Sequence, residues 1–189
     1  TTKNTQTKAM LQTVHKNATR LSTLVHQIID FRDIGPEKVE LALSQLEIVE
    51  FVHSIIAVYQ ENADTKSVTI ELITNLKELY MEVDPLKLES IINNLLSNAL
   101  KFTPEGGTVI LAVSLIEGEK PQIHVEVKDT GVGISNEDIN KIFKPFALSH
   151  QDLHGQMGGS GVGLTIARAI VEKHQGTISV RRREPHGTC

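Results

Sequence analysis

The sequence holds one cysteine, Cys189, among 189 residues, no tryptophan, and only two tyrosines and five phenylalanines. A lone thiol excludes an internal disulfide framework and leaves no cysteine pair for a metal site, which fits a reducing compartment. No run of 18 or more apolar residues is present, and the polar start TTKNTQTK lacks the basic, apolar and small-residue order of a signal peptide. The expectation is a cytoplasmic chain that makes no membrane contact of its own. Excess charge of one sign is lacking too. A formal net charge of −4 gives no electrostatic footprint for nucleic acid, and the short basic run Arg181–Arg183 is a weak patch. What is present, 40% apolar and 22% charged residues, suffices for one or two globular domains.

The first segment carries Leu11, Val14, Ala18, Leu21, Val25 and Ile28 at alternating spacings of three and four, a heptad seam. Leu24 and Phe31 widen that seam into a face suited to a bundle of more than two helices, and Gly35-Pro36 stops it. Such a helix needs a partner, and both chain ends suggest a part of a larger protein. Beyond the break, Val39–Leu46, Val68–Ile73, Leu79–Val83, Thr108–Leu115, Gln122–Val127 and Gly176–Arg182 read as strands. Helices are expected over Val49–Tyr59, after the cap-and-proline pair Asp84-Pro85, from about Ser135, and over Val162–His174. Interleaved helices and strands with hairpins predict an α+β fold, a two-layer sandwich with a mixed sheet covered by helices. The domain reading is one long bundle-forming helix over 1–35 and a second unit over 36–189.

Three stretches carry chemistry. NNLLSNALKFTPEGG puts Asn94, Asn98 and Lys101 at i, i+4 and i+7 on one helix face just before a Pro-Glu-Gly-Gly turn. An amphipathic helix often has a wet face, but asparagine is a poor filler for it, costing helix propensity that Glu or Lys would keep. VEVKDTGVGI ends a strand in Asp129, Gly131 and Gly133, and GGSGVGLTIARAI puts Gly159, Gly161 and Gly163 at a helix entry, where free N–H groups and the helix dipole favour phosphate. Neither glycine run matches a P-loop, and the second does not follow a strand as a dinucleotide fingerprint requires.

The quoted helix, DTGVGI, FKPF and GSGVGL stand in the order and spacing of the N, G1, F and G2 boxes of sensor histidine kinases. From Leu79 to the end the chain closely resembles their catalytic ATP-binding domain, of the Bergerat type. Residues 8–34, with NATRLSTLVHQIIDF, resemble the second helix of the dimerisation and phosphotransfer hairpin. The resemblance implies ATP and Mg²⁺ as cofactors, with Asn98 offering the metal a hard oxygen ligand and Asn94 making a second polar contact one turn earlier. It implies a phosphate contact for Lys101, an aromatic residue close to the nucleotide at Phe102, and glycine-loop contacts from Gly131, Gly133, Gly159, Gly161, Gly163 and the adjoining Leu164. Asp129 corresponds to the carboxylate that accepts a hydrogen bond from the adenine amine, which selects against guanine, whose keto group would face it acceptor to acceptor. Thr188 resembles a position near the adenine, and ALSHQDLHGQMG, residues 147–158, resembles the lid over the phosphates. Phe143 and Phe146 are also readable as core, Phe143 especially.

In the family the phosphoaccepting histidine is followed by an acid and, a few residues on, by Thr-Pro. None of the eight histidines here fits that pattern. His15 lies on the heptad helix but flanks its seam, and His150 and His154 lack the companions of a zinc site. The chain is thus expected to bind nucleotide while the acceptor histidine lies elsewhere, so no catalytic residue is assigned. The resemblance implies a homodimer in the full-length protein, a response-regulator receiver domain as partner, and no direct contact with nucleic acid. Two alternatives stay open: a nucleotide-responsive binding module without transfer activity, and a related ATPase of the topoisomerase or mismatch-repair kind. The FKPF segment and heptad helix oppose the latter.

Overall fold

In a computed structural model, which describes residues 40–147, 161–183 and 186–189, strand β1 (Ser44–Glu47) runs directly into helix α1 (Ile48–Thr65). The junction is made by Glu47, whose Oε1 accepts from the Val49 amide at 3.1 Å and from the Leu79 amide at 2.8 Å. One carboxylate therefore caps the helix and ties it to the chain at Leu79. The heptad segment 8–34, with His15 and His26, lies outside the described residues, as do Val39, residues 148–158 of the lid stretch with His150 and His154, and Gly159.

Strands β2 (Thr69–Thr74), β4 (Thr108–Ile116) and β5 (Gln122–Asp129) form a mixed sheet in the order β2-β4-β5, with β2 parallel and β5 antiparallel to β4. The first strand and β3 (Tyr80–Val83) pair separately and antiparallel. Parallel strands cannot be joined by a tight turn. The β2–β4 connection accordingly carries β3 and helix α2 (Pro85–Phe102). Alternation then does the packing. Val109, Leu111 and Val113 of β4 point inward, paired with Asp129, Val127 and Val125 of β5. They meet Ile48, Val52 and Ile55 of α1 and Leu88, Ile92 and Leu96 of α2 in one core. A fully buried isoleucine or leucine such as Ile92 or Leu96 contributes about 1.5–3 kcal/mol relative to an exposed one.

Helix α2 starts as expected, with Asp84 at the cap and Pro85 in the first turn. Asp84 Oδ1 accepts from the Lys87 amide at 3.1 Å, and Oδ2 from the Ala42 amide at 2.9 Å. At the other end, Lys66 Nζ donates to the Leu100 carbonyl at 2.9 Å and the Thr103 hydroxyl to the Ala99 carbonyl at 2.7 Å, satisfying acceptors that a helix end leaves open. A short helix α3 (Asn136–Ile139) follows the Ser135 cap, and α4 (Gly163–Lys173) runs antiparallel along α2. Two contacts set that direction: Gly163 lies against Asn94, and the Asp84 amide donates to His174 Nε2 at 3.3 Å.

Two strand expectations need correcting. The first strand begins at Ser44, with residues 40–43 irregular. Gly176–Arg182 is not a sheet strand; its end folds back on the chain through an isolated Arg182–Thr188 bridge and paired Arg181–Cys189 amide-carbonyl bonds. The fold-back at Gly187 supplies the partner that the sheet would have given. Among the described residues, no helix is long and apolar enough to cross a membrane.

Candidate nucleotide site

Asp129 owes its burial to strand alternation. It is the third of the inward residues Val125, Val127 and Asp129, paired with Val109, so its carboxyl is carried onto the helix-covered face and is only 7% exposed. Oδ1 accepts from the Gly131 amide at 2.8 Å and from the Thr188 amide at 3.1 Å. Oδ2 takes no hydrogen bond among the described residues. No buried side-chain polar atom among them lacks a partner, so Oδ2 opens to solvent. Burial pushes this carboxyl above the ordinary aspartate range, against the pull of the two amides and of Arg183.

The loop after Asp129 is pressed against the end of α2. A Cβ on Gly131 would lie 2.5 Å from the Phe102 carbonyl, and the Val132 amide donates weakly to that oxygen at 3.4 Å. Only glycine allows so close an approach. Farther back on α2, Asn94 Oδ1 sits where a Cβ on Gly163 would be, 2.3 Å away, and its Nδ2 donates to the Ser90 carbonyl at 2.8 Å. One helix thus seats both glycine-bearing segments, the first at Phe102 and the second at Asn94.

Along the same helix, Asn98 is half-buried and its side chain makes no hydrogen bond among the described residues. Lys101 Nζ lies 4.3 Å from the Phe102 ring centroid, a cation–π distance. The start of α4 has Val162 at the cap position, which offers no side-chain cap of its own, and Gly163 and half-buried Leu164 open the helix. Gly161, at φ +66°, abuts the Phe146 and Ala147 backbone. Gly133, at φ +74°, faces the Gly187 carbonyl. Of the two phenylalanines, Phe143 is half-buried under Arg168, 6.0 Å from its ring, while Phe146 is 64% exposed and so is not core.

Sequence reading missed two residues. Gly187, at φ +110°, has no room for a side chain, since a Cβ would lie 2.0 Å from the Asp129 carbonyl. A glycine just before Thr188 was the available signal. Arg183 was hidden in a basic run, yet its Nη1 donates to the Asp129 carbonyl at 3.1 Å.

A carboxylate at a strand end, an asparagine helix and two glycine segments seated on that helix define a Bergerat-type ATP-binding domain. The chain belongs to the family described as histidine kinase-, DNA gyrase B- and HSP90-like ATPase, whose model matches residues 83–189, more than half of it. It is 32% identical over 180 residues to the sensor histidine kinase WalK of Bacillus subtilis, covering 94% of this chain and 29% of that protein. The crystal structure of full-length ShkA in complex with AMPPNP superposes with a TM-score of 0.80 at 25% identity, covering 96% of this chain and 37% of that one. The histidine kinase ThkA in complex with the response regulator protein TrrA shares the fold, with a TM-score of 0.70 at 23% identity, covering 92% of this chain and 46% of that one. The chain spans between 13% and 29% of the length of the first curated relatives it matches.

Proposed function

We propose that residues 36–189 bind ATP as the catalytic domain of a two-component sensor histidine kinase and that residues 1–35 supply one helix of its dimerisation hairpin. The observation that carries the reading is Asp129: a buried carboxyl with one oxygen fixed by two amides and the other open to solvent. That free acceptor suits the exocyclic amine of adenine and would oppose the keto oxygen of guanine. Phe102 and the backbone at Gly131 and Gly133 flank the base. Lys101, the start of α4 at Gly161, Gly163 and Leu164, and Gly159 meet the phosphates, as cations and helix N-termini do. Asn94 lies against Gly163 at the start of α4 and makes a second polar contact one turn before Asn98.

Mg²⁺ fits the donor chemistry. Asn98 presents an amide oxygen that nothing else among the described residues engages, and among those residues no cluster of three or more acidic, histidine or cysteine side chains competes for a cation. A hard ion would take that oxygen together with phosphate oxygens and water. When bound it neutralises charge on the phosphates.

In the full-length protein the γ-phosphorus would bond to an imidazole nitrogen as its bond to the β-phosphate bridging oxygen breaks. ADP leaves and the imidazole gives up its proton. The acceptor histidine is proposed to lie outside these residues, in a cytoplasmic homodimer whose phosphoryl group passes to an aspartate of a response-regulator receiver domain. Family membership, WalK and the ThkA–TrrA pair support this reading. Calorimetric titration of ADP, ATP and GTP, with and without Mg²⁺, tests it. Adenine-selective binding is expected, and well-folded protein that binds no adenine nucleotide would refute the site.

A further inference from the structure

The basic run Arg181–Arg183 has no role in the reading above, and the structure divides it among three partners. Arg181 pairs with Glu126, Arg182 Nη1 donates to Asn136 Oδ1 at 3.4 Å, and Arg183 alone turns to the strand end that carries Asp129. Arg183 is half-buried and holds this corner twice. Its guanidinium donates to the Asp129 carbonyl at 3.1 Å, and its amide donates to the Gly187 carbonyl, also at 3.1 Å, closing the fold-back that brings Thr188 to Asp129. The Thr188 carbonyl in turn accepts from the Asp129 amide at 3.0 Å. Every atom of the aspartate except Oδ2 that can form a hydrogen bond is therefore held, three of the four holding contacts coming from this fold-back or its arginine.

Resting on the nucleotide reading, we propose that Arg183 is the positioning residue of the adenine site: it orients Asp129 so that Oδ2 faces the base, and its charge keeps that oxygen an acceptor. The second part follows from the surroundings. Lys128 on β5 is committed to Glu126 at 2.5 Å, Lys101 on α2 stands over Phe102, and His186 in the same fold-back is exposed. Among the described residues, Arg183 is the charged side chain that bears on the carboxyl, and it opposes the effect of burial there. A neutral Asp129 would place an O–H where the adenine amine needs an acceptor, so a cation at this point protects base recognition as pH falls.

The test compares wild type, Arg183→Gln and Arg183→Lys in two measurements, with amide NMR spectra confirming that each is folded. The first is carboxyl ¹³C titration of Asp129 without nucleotide. Its midpoint is expected to rise in R183Q and to stay near the wild-type value in R183K. The second is Mg²⁺-ADP affinity across pH 5 to 8, a range of about three units around the histidine pKa. R183Q is expected to lose on the order of 3- to 10-fold at neutral pH and more as pH falls, its acid limb moving upward. An unmoved midpoint overturns the proposal, whether affinity is kept or falls evenly at all pH values, the latter being the mark of a merely structural arginine. A moved midpoint in a wild type that binds no ADP sinks the nucleotide site, and the proposal with it, through a different readout.

Discussion

Asp129→Asn separates binding from stability in a way that follows from which oxygen is engaged. In the wild type, Oδ1 accepts two amide protons, from Gly131 at 2.8 Å and Thr188 at 3.1 Å. An asparagine can meet those donors only with its oxygen, so its NH₂ group is forced into the Oδ2 position, donor against the adenine amine. Turning the amide over would aim that NH₂ at two N–H groups. Losing a hydrogen bond to a charged acceptor and leaving a donor unpaired costs about 2–3 kcal/mol, roughly a 30- to 160-fold rise in Kd for ADP. Stability of the free protein should move the other way. Burial raises the Asp129 pKa above the unfolded value. The folded state then binds the proton more tightly, so the contribution to stability is present below the unfolded pKa and is lost as pH rises through the folded one. At neutral pH the ionised carboxyl is a net cost, which asparagine removes while keeping both Oδ1 bonds. Calorimetric titration and thermal unfolding at neutral pH, both on the same D129N preparation, check this. An ADP affinity within about threefold of wild type would refute the binding argument, and a clearly lower ligand-free Tm would refute the stability argument.

Asn98→Ala should weaken ADP binding in the presence of Mg²⁺ and leave metal-free ADP binding nearly unchanged; an equal loss in both titrations would remove the asparagine from the metal. Gly187→Ala must escape a contact 2.0 Å from the Asp129 carbonyl at φ +110°, which should cost about 2–5 kcal/mol and is read from urea unfolding midpoints. Burial would raise the Glu126 pKa, but the Cys189 thiol, Lys128 and Arg181 together hold it down at about 2. Its stabilising contribution is therefore complete above the unfolded value of 4.5 and lost as pH falls through about 2, and E126Q should flatten the acid side of the stability curve. Asp84→Ala removes the α2 cap and the Ala42 tether together, for about 1–3 kcal/mol on chemical denaturation.

The sequence carried most of the α+β order because the decisive signals are local. Asp84-Pro85 fixed the start of α2, and alternation through Val109, Leu111 and Val113 fixed the inward face of β4. Resemblance marked Asp129, but its burial was also legible as the next odd position after Val125 and Val127. What could not be read were the long-range contacts. Asn94 carries the same face signal as Asn98, and only the approach of Gly163 puts its side chain to internal use. Gly176–Arg182 has strand composition, but its end pairs with Thr188 and Cys189 because the chain turns at Gly187. Arg183 looked like its two neighbours because nothing in a run of three arginines tells which one meets a carbonyl on another strand.

Helix α2 is secured at both ends, by Asp84 and His174 at one and by Lys66 and Thr103 at the other, with Ile92 and Leu96 buried between. With both ends held, its buried central amides are expected to exchange mainly when the whole domain opens. A nucleotide that binds only the folded state should slow that exchange by the full factor set by its free concentration relative to Kd. Amides of the Gly131–Gly133 loop, exchanging through smaller openings, would register only the part of that effect felt at the loop. The ratio of the two slowings would measure how much of a ligand's affinity is held by the frame and how much by the edge of the site.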